Sequence, residues 1–170
     1  MSDWVLILVT CLMTIGVMEY VAWVVHKYLM HGPLWFLHKS HHRPRSGWFE
    51  LNDTFGLFFS TVSIALIYFG LRGHPLMLGI GLGMVGYGVI YFLVHDVLVH
   101  RRVRHVFVPR SGYLRRIYQA HRMHHALETK HGAVSFGFVY APPPEKLKAE
   151  LGASVAAKAL EGDGIERRTR

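Results

Sequence analysis

Three long apolar stretches dominate the pattern of hydrophobic and polar positions along the chain. Residues 54–71 and 75–94 contain no Asp, Glu, Lys or Arg, and residues 4–25 contain a single charged residue, Glu19. Each stretch approaches the ~20 residues that an α-helix needs to cross ~30 Å of hydrocarbon. A chain of 170 residues has too little other sequence to bury three such helices. The pattern therefore predicts an all-α integral membrane helical bundle with three spanning helices.

The remaining segments are predicted to form a helical cap and a tail. Residues 113–126 have the pattern of a cap helix, and residues 134–144, which are too short to span, are expected to pack against the cap. The predicted organisation is a membrane domain over residues 1–144 and a polar tail over residues 145–170. The chain begins MSDW without a basic n-region, so residues 4–25 are expected to be a retained span and not a cleaved signal.

Membrane topology explains the formal net charge of +8 without a nucleic-acid partner. Basic residues concentrate between residues 27 and 45 and between residues 101 and 122, whereas the loop between the second and third stretches contains only Arg72. Cytoplasmic loops carry an excess of Lys and Arg, so both basic segments are predicted to face the cytoplasm from the inner membrane. Attraction to anionic headgroups of the membrane lipid accounts for the same charges.

Histidines form a repeated pattern just beyond the first and third apolar stretches. Of the thirteen histidines, ten fall into four groups with the spacings H-x4-H, H-x2-HH, H-x4-H and H-x2-HH. Unrelated surface histidines are not expected to repeat two spacings in one order. Neutral imidazole is a common transition-metal ligand, and ten copies predict a two-metal site in the cytoplasmic cap. The ten residues are His26, His31, His38, His41, His42, His95, His100, His121, His124 and His125.

The two spacings place their histidines differently around a regular α-helix. Positions i, i+3 and i+4 of H-x2-HH lie within roughly 100° on one face, so three imidazoles can converge on a pair of ions. Positions i and i+5 of H-x4-H lie about 140° apart, so both rings face one centre only where the helix ends, kinks or bulges. Gly32-Pro33 supplies a break after His31. The pair His95 and His100 has no such helix breaker, so it requires either altered winding at the end of the helix or a position between the two ions.

The available donors favour nitrogen ligands and oxygen chemistry. Cys11 is the only cysteine and lies inside the first apolar stretch, so thiolate clusters are excluded. The sequence has no H-E-x-x-H motif for a hydrolytic zinc site, whereas imidazole suits iron. A ligating histidine usually donates its other N–H to a carboxylate, carbonyl or water, and Glu19 and Asp96 are the candidate carboxylates. Asp96 is also placed to pair with Arg101 or Arg102.

Two further patterns carry no predicted metal chemistry. Residues 81–86 contain the spacing G-x-G-x-x-G, but they lie inside an apolar stretch, so we expect close helix packing and no dinucleotide site. Reducing equivalents must then come from another protein. His74, His105 and His131 fall outside the repeated pattern and are expected to be ordinary surface residues.

The four ordered histidine groups, with the stretches HDVLVHRR, YLRRIYQAHRMHHA and VSFGFVYAPP, closely resemble bacterial β-carotene 3-hydroxylases of the fatty acid hydroxylase superfamily. These are membrane non-haem di-iron enzymes, usually described with four membrane helices, whereas three full-length spans are predicted here. The resemblance implies that all ten histidines bind two iron ions. It implies O2 as co-substrate and electrons from reduced ferredoxin and its reductase. The implied reaction hydroxylates C3 of β-ionone rings and converts β-carotene through β-cryptoxanthin to zeaxanthin.

Three alternative functions share part of this pattern. A related membrane di-iron hydroxylase or desaturase that acts on acyl chains or sterols would also contain H-x2-HH. A bis-histidine haem protein needs only two axial ligands per haem, which leaves most of the ten histidines unexplained. A metal transporter places its ligands near the bilayer midplane, whereas these histidines are all predicted at one edge of the membrane.

Overall fold

The residues that the structure describes form helices joined by turns and irregular segments. This computed structural model describes residues 2–44 and 47–168, and Met1, residues 45–46 and residues 169–170 lie outside it. No β-strand occurs in the described ranges. Their α-helices are α1 (Asp3–Val24), α2 (Trp35–His38), α3 (Asp53–Gly70), α4 (Pro75–Tyr91), α5 (Gly112–His124) and α6 (Pro144–Arg168).

Two π-helical segments prolong the helices that lead into the histidines. Val25–Met30 continues α1, and Phe92–Val99 continues α4. A short 3₁₀ segment, Lys39–His42, continues α2 in the same way. His26 and His95 therefore lie in π-helical segments, and His41 and His42 lie in the 3₁₀ segment.

Three helices of the described chain are long and apolar enough to cross a membrane, which confirms the predicted all-α membrane architecture. They are Asp3–Met30, Asp53–Gly70 and Pro75–Val99. The first ends at Met30, where the sequence predicts residue 25, and the third ends at Val99, where it predicts residue 94. Both run further than predicted because the π-helical segments keep the chain helical into the histidine groups. Within the described residues there is no fourth helix of this kind.

Glycines let α4 pack closely between α1 and α3. A Cβ atom added at Gly83 would lie 2.6 Å from the carbonyl oxygen of Cys11 in α1, and one at Gly81 would lie 2.7 Å from Ile67 Cγ1 in α3. Ser63 Oγ donates a hydrogen bond of 2.9 Å to the Gly81 carbonyl across the same contact. Small residues at helix contacts bring backbones together in lipid, as the sequence predicts for this stretch.

Beyond the ends of the spans, α5 and α6 form a cap with the segment between them. Leu147, in the first turn of α6, is fully buried in this contact. The tail predicted from residue 145 therefore begins as part of the cap, and the division into two units at residue 144 stays a prediction. The apolar core of the cap consists of Ile117, Ala120, Val134, Ala141 and Leu147.

Candidate metal centre

The fold gathers all ten predicted histidines into two groups of five. In each group, one ring nitrogen per residue lies within 4.8 Å of the corresponding nitrogens of the other four. The first cluster consists of His26, His31, His38, His42 and His124. The second cluster consists of His41, His95, His100, His121 and His125. Eight of the ten side chains are buried, and His100 and His125 are half-buried.

Each H-x2-HH motif contributes to both clusters. In the first motif, His38 and His42 enter the first cluster and His41 enters the second. In the second motif, His121 and His125 enter the second cluster and His124 the first. Residues four apart thus share a cluster, while the residue between them faces the other cluster. Adjacent histidines therefore lie on opposite sides of the boundary between the two clusters, which joins them into one centre.

The π-helical segments bring the two histidines of each H-x4-H pair onto one side of the helix. The backbone N–H of His31 donates to the carbonyl of His26 at 3.0 Å, and that of His100 donates to His95 at 2.9 Å. These i→i+5 hydrogen bonds widen the turn, so that residues five apart come to lie one above the other. His26 and His31 consequently share the first cluster, with ring centroids 5.3 Å apart. Single π-helical turns of this kind are frequent at functional sites.

Every ring of the first cluster is oriented by a hydrogen bond from its Nδ1 atom. Because a carbonyl or amide oxygen can only accept, Nδ1 carries the proton in each ring and Nε2 is left with a lone pair. Residues 127–134 and Phe136 supply the backbone acceptors. The bonds run from His26 to the Phe136 carbonyl (2.9 Å), His31 to Lys130 (3.0 Å), His42 to Leu127 (2.9 Å), His124 to Val134 (2.9 Å) and His38 to Asn52 Oδ1 (2.7 Å).

Carboxylates orient two rings of the second cluster. His41 Nδ1 lies 3.0 Å from Glu50 Oε2, and His95 Nδ1 lies 2.7 Å from Asp96 Oδ1. Arg102 pairs with Asp96 at 3.6 Å on the far side of the carboxylate, and it also pairs with Asp53. A carboxylate partner raises the basicity of a ligating imidazole. The second cluster is therefore more negative than the first, whose Nδ1 partners are all neutral oxygens.

The Nε2 atoms of neighbouring rings lie so close together that a cation between them would stabilise the arrangement. His26 and His38 approach within 3.1 Å through these atoms, and His31 and His124 within 3.2 Å. Two lone pairs at hydrogen-bond distance repel each other unless a proton or a metal ion lies between them. A transition metal accepts several imidazole nitrogens at once, so both clusters have the donor set of a metal site. The structure thus supports a metal centre.

Burial keeps these imidazoles neutral. Burial, reinforced by neighbouring imidazoles, lowers the pKa of His38 from 6.5 to about 3 and the pKa of His42 to about 4. Burial likewise lowers the pKa of His41, His121 and His124 well below 6.5. Protons therefore compete poorly for the Nε2 lone pairs at neutral pH, and the rings are ready to bind a metal.

An apolar cavity of about 720 Å³ adjoins the clusters between α1, α3 and α4. Most of its lining is aliphatic and aromatic, and its volume falls in the ordinary range of small-molecule sites. None of the ten histidines lines it directly among the described residues. The side chains that connect the cavity to the clusters are Asn52, Tyr91, Asp96 and Phe138.

Comparison with known proteins places the chain in a family. The family model described as fatty acid hydroxylase matches residues 11–142, which is most of the chain. The chain belongs to the fatty acid hydroxylase family. This confirms the family that the histidine spacings and flanking stretches suggest.

Relatives of this fatty acid hydroxylase family member include carotene hydroxylases. It is 54% identical to a β-carotene hydroxylase of Pantoea ananas, over 79% of this chain and 77% of the relative. It is 50% identical to a β-carotene hydroxylase of a Paracoccus species, over 81% and 86%. It is 39% identical to a chloroplastic β-carotene 3-hydroxylase 2 of Arabidopsis thaliana, over 74% of this chain and 42% of that longer protein. No solved structure matches the chain.

The two predicted carboxylates occupy different positions relative to the clusters. Asp96 contacts His95 directly and also pairs with Arg102, so both interactions considered for it from the sequence are observed. The hydrogen bonds of Glu19 within the described chain go to Tyr87 and to the backbone of residues 138–140. Glu19 therefore reaches His26 only through the segment that carries the Phe136 carbonyl.

Several partners of the histidines have no marker in the sequence. Glu50 and Asn52 follow the first H-x2-HH motif by 8 to 10 positions, and a search for polar residues just before the second span would have found them. The four backbone carbonyls that orient the first cluster could not be found in this way, since every residue type has one. His74, His105 and His131 lie outside both clusters. His74 and His131 are exposed, as the sequence predicts, whereas His105 is half-buried and its Nε2 lies 2.7 Å from the Val97 carbonyl.

Proposed function

We propose that this protein is a β-carotene 3-hydroxylase that converts β-carotene through β-cryptoxanthin to zeaxanthin. The observation that carries the proposal is the pairing of two five-histidine clusters with an apolar cavity between the membrane-spanning helices. A membrane hydrocarbon can enter such a cavity from the lipid, and the similarity to β-carotene hydroxylases indicates which hydrocarbon. The proposed reaction places one atom of O2 in a C–H bond of the ring and releases the other as water, which consumes two electrons and two protons.

We propose that the ten histidines hold two iron ions, one in each cluster. The neutral, buried Nε2 donors suit iron, and their fixed Nδ1 hydrogen bonds reduce the freedom lost on binding. When bound, two iron ions would supply the redox chemistry that activates O2. The chain's own residues orient the ligands, exclude water from them and present the substrate through the cavity.

The test of this function uses cells that make β-carotene. Expression of the protein should yield two successively more polar yellow pigments, identified by chromatography as β-cryptoxanthin and zeaxanthin. The His41→Ala variant should yield neither, because its ring belongs to the second cluster. Unchanged β-carotene together with hydroxylated acyl chains or sterols would instead support the related hydroxylase activity. Two iron ions per purified chain are expected, and a single ion per chain would contradict the two-metal assignment.

We propose that an acidic, reduced ferredoxin delivers the electrons and docks on the Arg-rich segment 101–116, which runs into α5. Arg115 is exposed on this helix and Arg116 is half-buried beside it. Opposite charges across a docking surface raise association rates in a salt-dependent manner. The Arg115→Glu variant should raise the KM for reduced ferredoxin at low salt, whereas Lys148→Glu, at an exposed position of α6, should not. Unchanged donor kinetics in Arg115→Glu would assign these charges to lipid phosphate contact.

We propose that the metal centre faces the cytoplasm from the inner membrane. The loop that joins α3 and α4 lies at the other end of the spans from the clusters, and the basic segments flank the clusters. A cysteine at the exposed position of Glu128 should react with a membrane-impermeant thiol reagent only in inverted vesicles. A cysteine at exposed Arg72 should react in intact spheroplasts. The reverse labelling pattern would contradict the proposed orientation.

A further inference from the structure

Phe138 is the side chain of the wall between the apolar cavity and the histidines that contacts both clusters. Its ring stacks on His26 of the first cluster, with centroids 5.1 Å apart and planes 9° apart. The same ring meets His95 of the second cluster edge-on at 5.1 Å and lies 5.9 Å from His121. The ring also contacts Tyr91, with centroids 4.8 Å apart, and both rings line the cavity. The side chain is only 5% exposed, so it has little room to shift.

Glu19 holds the backbone of Phe138 in place. One carboxylate oxygen, Oε1, accepts hydrogen bonds from the N–H groups of Phe138, Val139 and Tyr140, at 3.0, 3.0 and 2.9 Å. The other oxygen, Oε2, accepts a hydrogen bond of 2.7 Å from the Tyr87 hydroxyl. An acidic side chain inside a membrane span is costly and is retained where it has partners. Here its partners are the Tyr87 hydroxyl and three backbone N–H groups, for which the described chain gives no other acceptor.

The turn around the carboxylate is tight enough to require glycine. A Cβ atom added at Gly137 would lie 2.5 Å from the Tyr140 carbonyl and 2.8 Å from Glu19 Oε1. Gly137 thus lies against both the Glu19 carboxylate, which with its three backbone hydrogen bonds we call the Glu19 clamp, and the backbone of Tyr140. Phe138 is consequently fixed from its backbone by Glu19 and from its ring by the histidines and Tyr91.

We propose that Phe138, held by the Glu19 clamp, sets how far a substrate ring advances towards the clusters and so selects the carbon that is hydroxylated. This inference rests on the proposed hydroxylase function and assigns a specificity-determining residue within it. A ring that enters from the lipid between the helices meets Phe138 and Tyr91 before it meets a histidine. The position of this wall decides which C–H bond lies beside the clusters, since reaction requires close and oriented approach.

The first experiment shortens the wall with Phe138→Leu and compares pigments in cells that make β-carotene. The ratio of 3-hydroxylated to otherwise hydroxylated products should fall by roughly tenfold, because a pocket discriminates by about this factor per missing group. Metal content per purified chain should equal that of the wild type. If Phe138→Leu does not accumulate, Phe138→Met, which keeps more of the volume, replaces it.

The matched control is Phe136→Leu, in the same segment. Phe136 packs on His26, His31 and His124 but does not line the cavity. Its product ratio should equal that of the wild type, whatever its total yield. A wild-type ratio in an active Phe138→Leu variant would overturn the inference and leave the hydroxylase function standing. Absence of any hydroxylated carotene from the wild-type protein would instead remove the proposed function itself.

The second experiment separates positioning by Glu19 from general stability. Glu19→Gln keeps an oxygen that accepts the three backbone hydrogen bonds, whereas Glu19→Leu removes it. Glu19→Leu should shift the product ratio in the same direction as Phe138→Leu, and Glu19→Gln should stay within about twofold of the wild type. An unchanged ratio in Glu19→Leu would refute the clamp.

Discussion

The Nε2 atoms of His26 and His38 lie 3.1 Å apart, although each ring has already committed its N–H to an oxygen through Nδ1. The two lone pairs therefore meet with no proton to share. The same arrangement joins His42 to His38 at 3.2 Å, so three rings of the first cluster present bare nitrogens to one another. This is an unfavourable arrangement for a metal-free protein and a favourable one for a protein with a bound cation.

Alanine substitution of neighbouring histidines should remove different metal ions. His124 belongs to the first cluster and His125 to the second, so each single variant should lose one of two ions. Hydroxylation should fall by at least the ~10–100-fold that loss of an outer partner costs, while membrane insertion stays intact. Elemental analysis of purified chains measures the metal content, and pigment chromatography measures hydroxylation. The exposed His74→Ala is the control, and full metal content in both cluster variants would refute the assignment.

Removal of the Glu50 carboxylate, which contacts His41, should weaken metal binding at the second cluster selectively. Glu50→Leu abolishes the hydrogen bond to His41 Nδ1 and the negative charge beside it. We expect metal affinity to fall ~10–100-fold at that cluster. Titration with a chelator should then release one ion per chain early and the other at the wild-type concentration. Glu128→Leu changes an exposed carboxylate and should leave both ions in place, and early loss from this control would show a nonspecific effect.

Acidification should release the metal only well below the usual histidine range. A lowered pKa favours the neutral ring that binds metal, so protons displace metal from His42 only at a lower pH than from an ordinary imidazole. An exposed peptide with the sequence HRMHH should lose metal as pH falls through about 6.5. In the metal-free protein, the free energy of unfolding should decrease as the pH is lowered from 6.5 to about 4. In this range the unfolded chain binds more protons than the folded chain does. Release from the protein centred near 6.5 would contradict the burial of the site.

Close packing of α1 against α4 should make Gly83 intolerant of any side chain. The Cβ atom in Gly83→Ala would lie 2.5 Å from Thr14 Cβ, so the helices must separate. Overpacking of this kind costs ~1–3 kcal/mol, which should lower the thermal midpoint for loss of helical circular dichroism in detergent. Gly16→Ala introduces the same methyl group where nothing lies within 4 Å and should leave the midpoint unchanged or raise it. Equal midpoints for the two variants would show that the contact is loose.

The sequence determines the membrane helices and the histidines that could hold a metal. A run of about 20 apolar residues has few structures available in lipid, because its backbone must satisfy its own hydrogen bonds. The histidine spacings identify the ligand type, since few other roles require so many imidazoles in a repeated order. The spacing also shows that α1 and α4 must depart from a regular helix near His26 and His95, although nothing in the residues specifies π-helical turns there.

The tertiary structure alone decides how the histidines divide between the clusters and what orients each ring. His124 joins residues nearly 100 positions earlier, while its neighbour His125 joins the other cluster. Glu19 binds the backbone about 120 positions later, and no local pattern records that contact. Side-chain spacing is a property of one helix, but acceptor carbonyls and cavity walls depend on how separate segments pack. That packing is set by the close approach of α1, α3 and α4, which brings the ends of the spans to one place.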